Sequence, residues 1–310
     1  MFKSASPGRW RPGPVSKAAV GVGALALVAA CGSSGHPSAA AGHATSPMPE
    51  SSSSMPMASP SMSMGEGMLP MGAEHMRVTI TSPAAGTQVT GNSVTVRVRV
   101  RVTGYTDTCA LAGKHVMGME ATTTGHYHVN LDGALVNMYC TPDAVISLQN
   151  VKPGMHTLTA VPALDDHTEV TKNARSVMFD YAPAAPLPAL AGVTAAGNPS
   201  ITIVSPGPGV TVSGSFTVAV RIKNFNASCA LFGKPDLHGY GHWHLNLDSA
   251  TGGMMGMGGM MGMSCTNTIR ASTAGLKPGS THTLIALLVD NEHAPLMPMI
   301  AARVTVRIGG

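Results

Sequence analysis

Histidine is the residue type here that bears most directly on chemistry. The chain has 13. Eight of them recur at matched places: His126, His128, His156 and His167, then His242, His244, His282 and His293. Two of each set sit in a Gly-His-aromatic-His string, Gly125-His126-Tyr127-His128 and Gly241-His242-Trp243-His244. Read as a strand, the first string puts His126, His128, Asn130 and Asp132 on one face. Tyr127, Val129 and Leu131 take the other, apolar face, as Trp243, Leu245 and Leu247 do in the second string. Same-face residues two apart are separated by about 6.5–7 Å along a strand, so both imidazoles can reach one ion. Asp132 lies about 13 Å beyond His128 and cannot easily join them. Asp132-Gly133 and Asp248-Ser249 read as turns. A third ligand must come from another strand or loop, and His167 and His293 are the candidates. A polar strand face that hydrogen-bonds a neighbouring loop would use the same residues, so a structural role stands beside metal binding.

The 22 methionines are clustered. Met48, Met55, Met57, Met62, Met64, Met68, Met71 and Met76 lie in one segment. Met254, Met255, Met257, Met260, Met261 and Met263 form a glycine-rich string that reads as an insertion. Cys140 stands eight positions after Asp132, but Cys265 stands seventeen positions after Asp248. Thioether sulfur is soft and suits Cu(I), and flexible Met-x-Met spacings let several sulfurs wrap one ion. The tracts resemble methionine-rich copper-handling segments of bacterial envelope proteins. That resemblance implies copper, with histidines holding Cu(II) and the methionines Cu(I). Low-complexity drift is the competing account of the methionines.

The first 30 residues read as a targeting segment. Lys3, Arg9, Arg11 and Lys17 precede an apolar run from Ala18 to Val28, too short to span a bilayer. The run closes on Val28-Ala29-Ala30-Cys31-Gly32, which resembles the lipobox of bacterial lipoproteins, although Val28 stands where leucine is commonest. The resemblance implies lipid attachment at Cys31 and an extracytoplasmic protein anchored to the cell membrane. It also disposes of the formal charge of +4. Without those four basic residues the 19 Lys and Arg fall level with the 15 Asp and Glu. A neutral mature chain offers no electrostatic case for nucleic acid.

Four cysteines remain, two per copy: Cys109 and Cys140, then Cys229 and Cys265. An exported chain meets oxidising surroundings, so each pair is expected as an intradomain disulfide worth roughly 3–4 kcal/mol in the chain-entropy account. Thiolate metal ligation is the rival, although the cysteines lack C-x-x-C spacing.

The elements that must position these residues come in two copies. Val78-Thr79-Ile80-Thr81-Ser82-Pro83 returns as Ile201-Thr202-Ile203-Val204-Ser205-Pro206, and Cys109-Ala110-Leu111-Ala112-Gly113-Lys114 returns as Cys229-Ala230-Leu231-Phe232-Gly233-Lys234. Residues 31–76, rich in Ser, Pro and Met, read as a disordered tether. The repeats are expected at 77–182 and 200–310, joined by a Pro/Ala linker over 183–199. Val94, Val96, Val98, Val100 and Val102 alternate with polar residues, as do Phe216, Val218, Val220 and Ile222, so each copy reads as strands with one buried face. No amphipathic helix is apparent. The fold class expected is all-β, two tandem β-sandwiches. The opening I-T-x-x-S-P-x-x-G-x-x-V-x-G resembles bacterial immunoglobulin-like or fibronectin-like envelope domains, which implies that fold and no activity. His156 and His282 follow Pro-Gly and precede Thr-Leu, the setting of the corner tyrosine in immunoglobulin-like domains, and are assigned a structural role.

The functional expectation is a metal-binding surface lipoprotein, copper first, without catalysis. The histidines and the Met254–Met263 string supply ligands, and the membrane is met through the lipid. The alternative is an envelope module whose histidine face contacts a protein or glycan partner. The His-x-His string is similar to that of copper/zinc superoxide dismutases, but the following zinc-loop histidines are missing. No nucleophile motif or phosphate loop is present, and Asp165 and Asp166, adjacent in sequence, would point to opposite faces of a strand.

Overall fold

The computed structural model describes residues 69–90, 95–114, 123–250 and 259–310, the side chains of 95–100 excepted. The targeting segment, Cys31, the methionines from Met48 to Met68, and Met254, Met255 and Met257 lie outside these residues.

The first repeat contains β1 (Arg77–Ser82), β2 (Thr87–Val89), β3 (Thr95–Thr103), β4 (Thr106–Asp107), β5 (Thr124–Leu131), β6 (Ala134–Tyr139), β7 (Asp143–Ser147), β8 (Gly154–Ala163) and β9 (Arg175–Tyr181). One sheet runs β1-β3-β7. The other runs β2-β9-β8-β5-β4, with β6 also paired to β5. The chain thus switches from β1 in one sheet to β2 in the other, where β2 runs parallel to β9. Two sheets joined this way, antiparallel except where the short strands β2 and β4 pair, form an immunoglobulin-like sandwich.

The second repeat follows the same plan with β10 (Ser200–Ser205), β11 (Thr211–Val212), β12 (Ser215–Lys223), β13 (Asn226–Ala227), β14 (Tyr240–Leu247), β15 (Met260–Ser264), β16 (Thr268–Ser272), β17 (Thr281–Val289) and β18 (Ala301–Ile308). Its sheets are β10-β12-β16 and β11-β18-β17-β14-β13, with β15 paired to β14. The protein is therefore all-β, two tandem sandwiches. The helical elements described are three-residue 3₁₀ turns.

Each core lies where the alternation puts it. Tyr127, Val129 and Leu131 of β5 pack with Ile146, Leu158 and Phe179. Trp243, Leu245 and Leu247 of β14 pack with Val218, Leu284 and Val306. The buried aromatics keep their polar ends satisfied. Tyr127 donates to the Thr141 carbonyl at 2.6 Å, and the Trp243 Nε1–H to that of Thr266 at 2.7 Å. A disulfide closes each sandwich, Cys109–Cys140 and Cys229–Cys265, with Cα separations of 5.5 and 5.1 Å. The cysteines are thus bridged and are not metal ligands. Paired bridges at matched places belong to an extracytoplasmic, oxidising compartment.

One boundary differs from expectation. The ordered chain starts before residue 77, because Ala73 and Met76 are buried against Leu164 and Val170. Met76 is a core residue and not part of a loose tether. The linker is also held along its length. Gln149 and Asn150 bond the carbonyls of Pro188 and Leu190, and Val193 N–H donates to the His238 carbonyl of the second repeat.

Candidate metal centre

The strings Gly-His-aromatic-His occupy β5 and β14. Glycine opens each string because the neighbouring chain passes too close for a side chain. A Cβ on Gly125 would lie 2.3 Å from the Ala163 carbonyl oxygen, and one on Gly241 2.1 Å from that of Val289. Those carbonyls end β8 and β17. Beyond each, a tight turn carries the third histidine back over the strand. His167 N–H donates to the Leu164 carbonyl at 2.9 Å, and both His167 and His293 adopt left-handed backbone, with φ of 68° and 69°. Side chains rarely take that conformation without a compensating role. Its recurrence at the same turn of both repeats points to one.

The outcome is two matched triads. His126 Nε2 lies 3.1 Å from His128 Nε2 and 3.0 Å from His167 Nδ1, and the latter pair is 3.4 Å apart. In the second repeat His242 Nε2 lies 3.0 Å from His244 Nε2 and 2.9 Å from His293 Nδ1, which is 3.4 Å from His244 Nε2. Three nitrogens bound to a tetrahedral ion at about 2.0–2.1 Å stand about 3.3 Å from each other. Both triads come close to this spacing. They are the metal-capable His, Cys, Asp and Glu groups found among the described residues.

Burial and hydrogen bonding set the protonation that a ligand needs. All six histidines are at most 3% exposed. Burial, then like-charged neighbours, drives His126, His242 and His244 well below the usual imidazole range. Burial pushes His167 and His293 down to about 4. These rings are neutral at neutral pH. His167 Nε2 lies 2.7 Å from the Met260 carbonyl, and His293 Nε2 2.8 Å from that of Leu135. A carbonyl only accepts, so each Nε2 carries the proton and each Nδ1 turns its lone pair to the centre. His128 Nδ1 lies 2.7 Å from Glu169 Oε1, a carboxylate that orients the ring in the same way.

Those two carbonyls belong to the opposite repeat. The histidine face is the outer face of its sheet, as the strand pattern requires, yet the other repeat covers it. Phe232 of the second repeat joins the core cluster of the first, and its ring centroid lies 4.3 Å from that of His242. Buried in this way, the histidines are no contact surface for a protein or glycan partner.

Other expected residues fall elsewhere. His156 and His282 serve the fold. His156 bonds Asp132 Oδ2 at 2.6 Å and the Lys152 carbonyl at 2.8 Å, and His282 bonds Asp248 Oδ2 at 2.7 Å. Asp132 and Asp248 do turn the chain, at φ of 53° and 59°, and their carboxylates also pin those histidines. Half of the expected methionine ligand string lies in a strand. Met260, Met261 and Met263 lie in strand β15, with Met260 and Met261 buried in apolar clusters. The register shows why. His128 pairs with Met138 and His244 with Met263, so Met263 is the counterpart of Met138 and not part of an insertion. Glu169 escaped the sequence reading. Its signal was its place two residues after His167.

No protein-family model matches the chain, and no curated protein matches it. Among solved structures, one of Clostridium thermocellum CbhA fibronectin(III)-like modules aligns over 35% of this chain and 99% of its own, at 15% identity and TM-score 0.24. The N-terminal four Ig domains of Dscam1 isoform 6.9 align over 77% of this chain and 47% of their own, at 11% identity and TM-score 0.20. The BSP domain of a biofilm associated protein aligns over 75% of this chain and 29% of its own, at 9% identity and TM-score 0.20. Likenesses at these scores add nothing to the sheets described above, and the sandwich assignment rests on strand order and register.

Proposed function

We propose that this protein is a non-catalytic metal-binding lipoprotein of the cell surface that holds one transition-metal ion in each repeat, copper before others. The observation that carries the reading is the convergence of three buried imidazole nitrogens at ligand spacing, twice in one chain. Neutral imidazole suits copper, zinc, iron and nickel, and copper(II) stands highest in affinity for such donors. The methionine-rich segments before residue 69 add soft donors that favour Cu(I). In this reading the lipid on Cys31 holds the protein at the membrane, and nucleic acid is not a partner.

The test is copper titration of the mature chain, followed by elemental analysis after dialysis. Two ions per chain at micromolar or tighter affinity are expected. His126→Ala/His128→Ala should remove one ion, and His242→Ala/His244→Ala the other. A wild-type chain that binds no transition metal, with an unchanged melting temperature, overturns the proposal. Parallel titration with zinc identifies the preferred ion.

A further inference from the structure

The contacts between the repeats are exchanged. His167 of the first repeat bonds the Met260 carbonyl of the second, and His293 of the second bonds the Leu135 carbonyl of the first. Leu135 and Met260 hold matched places, since they pair with Asn130 and Asn246. The loops that start at Cys109 and Cys229 repeat the exchange. A Cβ on Gly113 would lie 2.3 Å from the Met260 oxygen, and one on Gly233 2.3 Å from the Leu135 oxygen. The same glycines bond backward to the histidine turns, Gly113 N–H to the Asp165 carbonyl at 2.6 Å and Gly233 N–H to the Asn291 carbonyl at 2.9 Å. This is an isologous interface within one chain, in which residue i meets j and j meets i. Across the same interface Met138 and Met260 pack with Ala112, and Met263 packs against them.

We infer that both triads are competent only while the repeats are docked, so that a lesion in the interface itself, outside the ligands, disables both sites. The inference rests on the metal reading above. Its basis is that each third ligand is oriented by backbone from the opposite repeat. Were the repeats to part, both Nε2–H groups would lose their acceptors and both Nδ1 lone pairs their fixed direction. By linkage, an ion that needs the docked state must also favour it. Metal therefore closes the two repeats on one another.

The experiment uses the full mature chain with Gly113→Asn. Asparagine tolerates positive φ, so backbone strain is small, while its Cβ still meets the Met260 carbonyl. Gly86→Asn is the control, because Gly86 has the same φ of +73° with nothing within 4 Å of its Cβ position. Both variants are checked for native circular dichroism, then titrated with Cu(I), Cu(II) and Zn(II). Gly113→Asn should weaken both ions at least tenfold, and Gly86→Asn neither. In the wild type, metal should slow proteolysis of the linker at 183–199 and slow amide exchange in β6 and β15. Loss confined to the first-repeat ion, or equal behaviour of the two variants, overturns the inference while leaving the metal reading intact. A wild type that binds no metal overturns both.

Discussion

At the scale of residues the two centres are not equal. His128 meets Glu169, but the matching position in the second repeat is Pro295, as their bridges to Ala163 and Val289 show. No described residue bonds His244 Nδ1, which is fully buried. A carboxylate on the far nitrogen of a ligating histidine fixes its tautomer and raises its basicity, commonly by 10- to 100-fold in metal affinity. Glu169→Gln should therefore weaken one of the two ions by roughly 10- to 100-fold and leave the other unchanged, as read by competitive titration. An equal loss at both sites, or none, would count against Glu169 as an orienting group. The six imidazoles were legible in the sequence because histidine is scarce and recurs at matched places. Glu169 was not, because a single carboxylate in a turn carries no periodic signal, and only the fold brings it to His128.

At the scale of elements, the strand that presents the histidines depends on the glycine before them. An alanine at Gly125 must push the end of β8 away, because its Cβ would lie 2.3 Å from a backbone oxygen that cannot rotate aside. Overpacking of this kind costs about 1–3 kcal/mol. Gly125→Ala should lower the denaturation midpoint accordingly and weaken the first-repeat ion, since His167 follows directly on β8. A variant with wild-type stability and wild-type affinity would show that the strand gives way easily. Strand β12 was legible because Val218 and Val220 alternate with exposed or half-buried neighbours, and one buried face leaves that trace. Strand β15 was hidden. Met260-Met261-Gly262-Met263 lacks polar alternation and follows a glycine-rich stretch, so its composition resembled low complexity. Pairing to β14 decides its structure, and pairing is non-local.

At the scale of the whole molecule, the docking of the repeats was beyond the sequence. Each repeat has its own core and disulfide, so nothing in its pattern requires a partner, and the polar face looked merely wet. Docking converts that face into a buried cluster of bases, and this has a consequence for acid stability. An unfolded histidine titrates near 6.5, whereas His167 and His293 titrate at about 4 when folded, and His126, His242 and His244 also lie lower. Between those values the unfolded chain binds more protons, so stability rises with pH there. The contribution is complete above pH 6.5 and drains away as pH falls through 4. The melting temperature of the metal-free chain should thus fall steeply from pH 7 to pH 4. His293→Gln, which removes one titrating ring but keeps an amide donor, should flatten part of that slope. A bound ion occupies the same lone pairs that protons seek, so copper should move the fall to lower pH in the wild type. It should do so less in His242→Ala/His244→Ala, where one triad is gone. A metal-free melting temperature that stays level from pH 7 to pH 4 would mean that water reaches these rings, and would remove the burial on which metal binding by the triads depends.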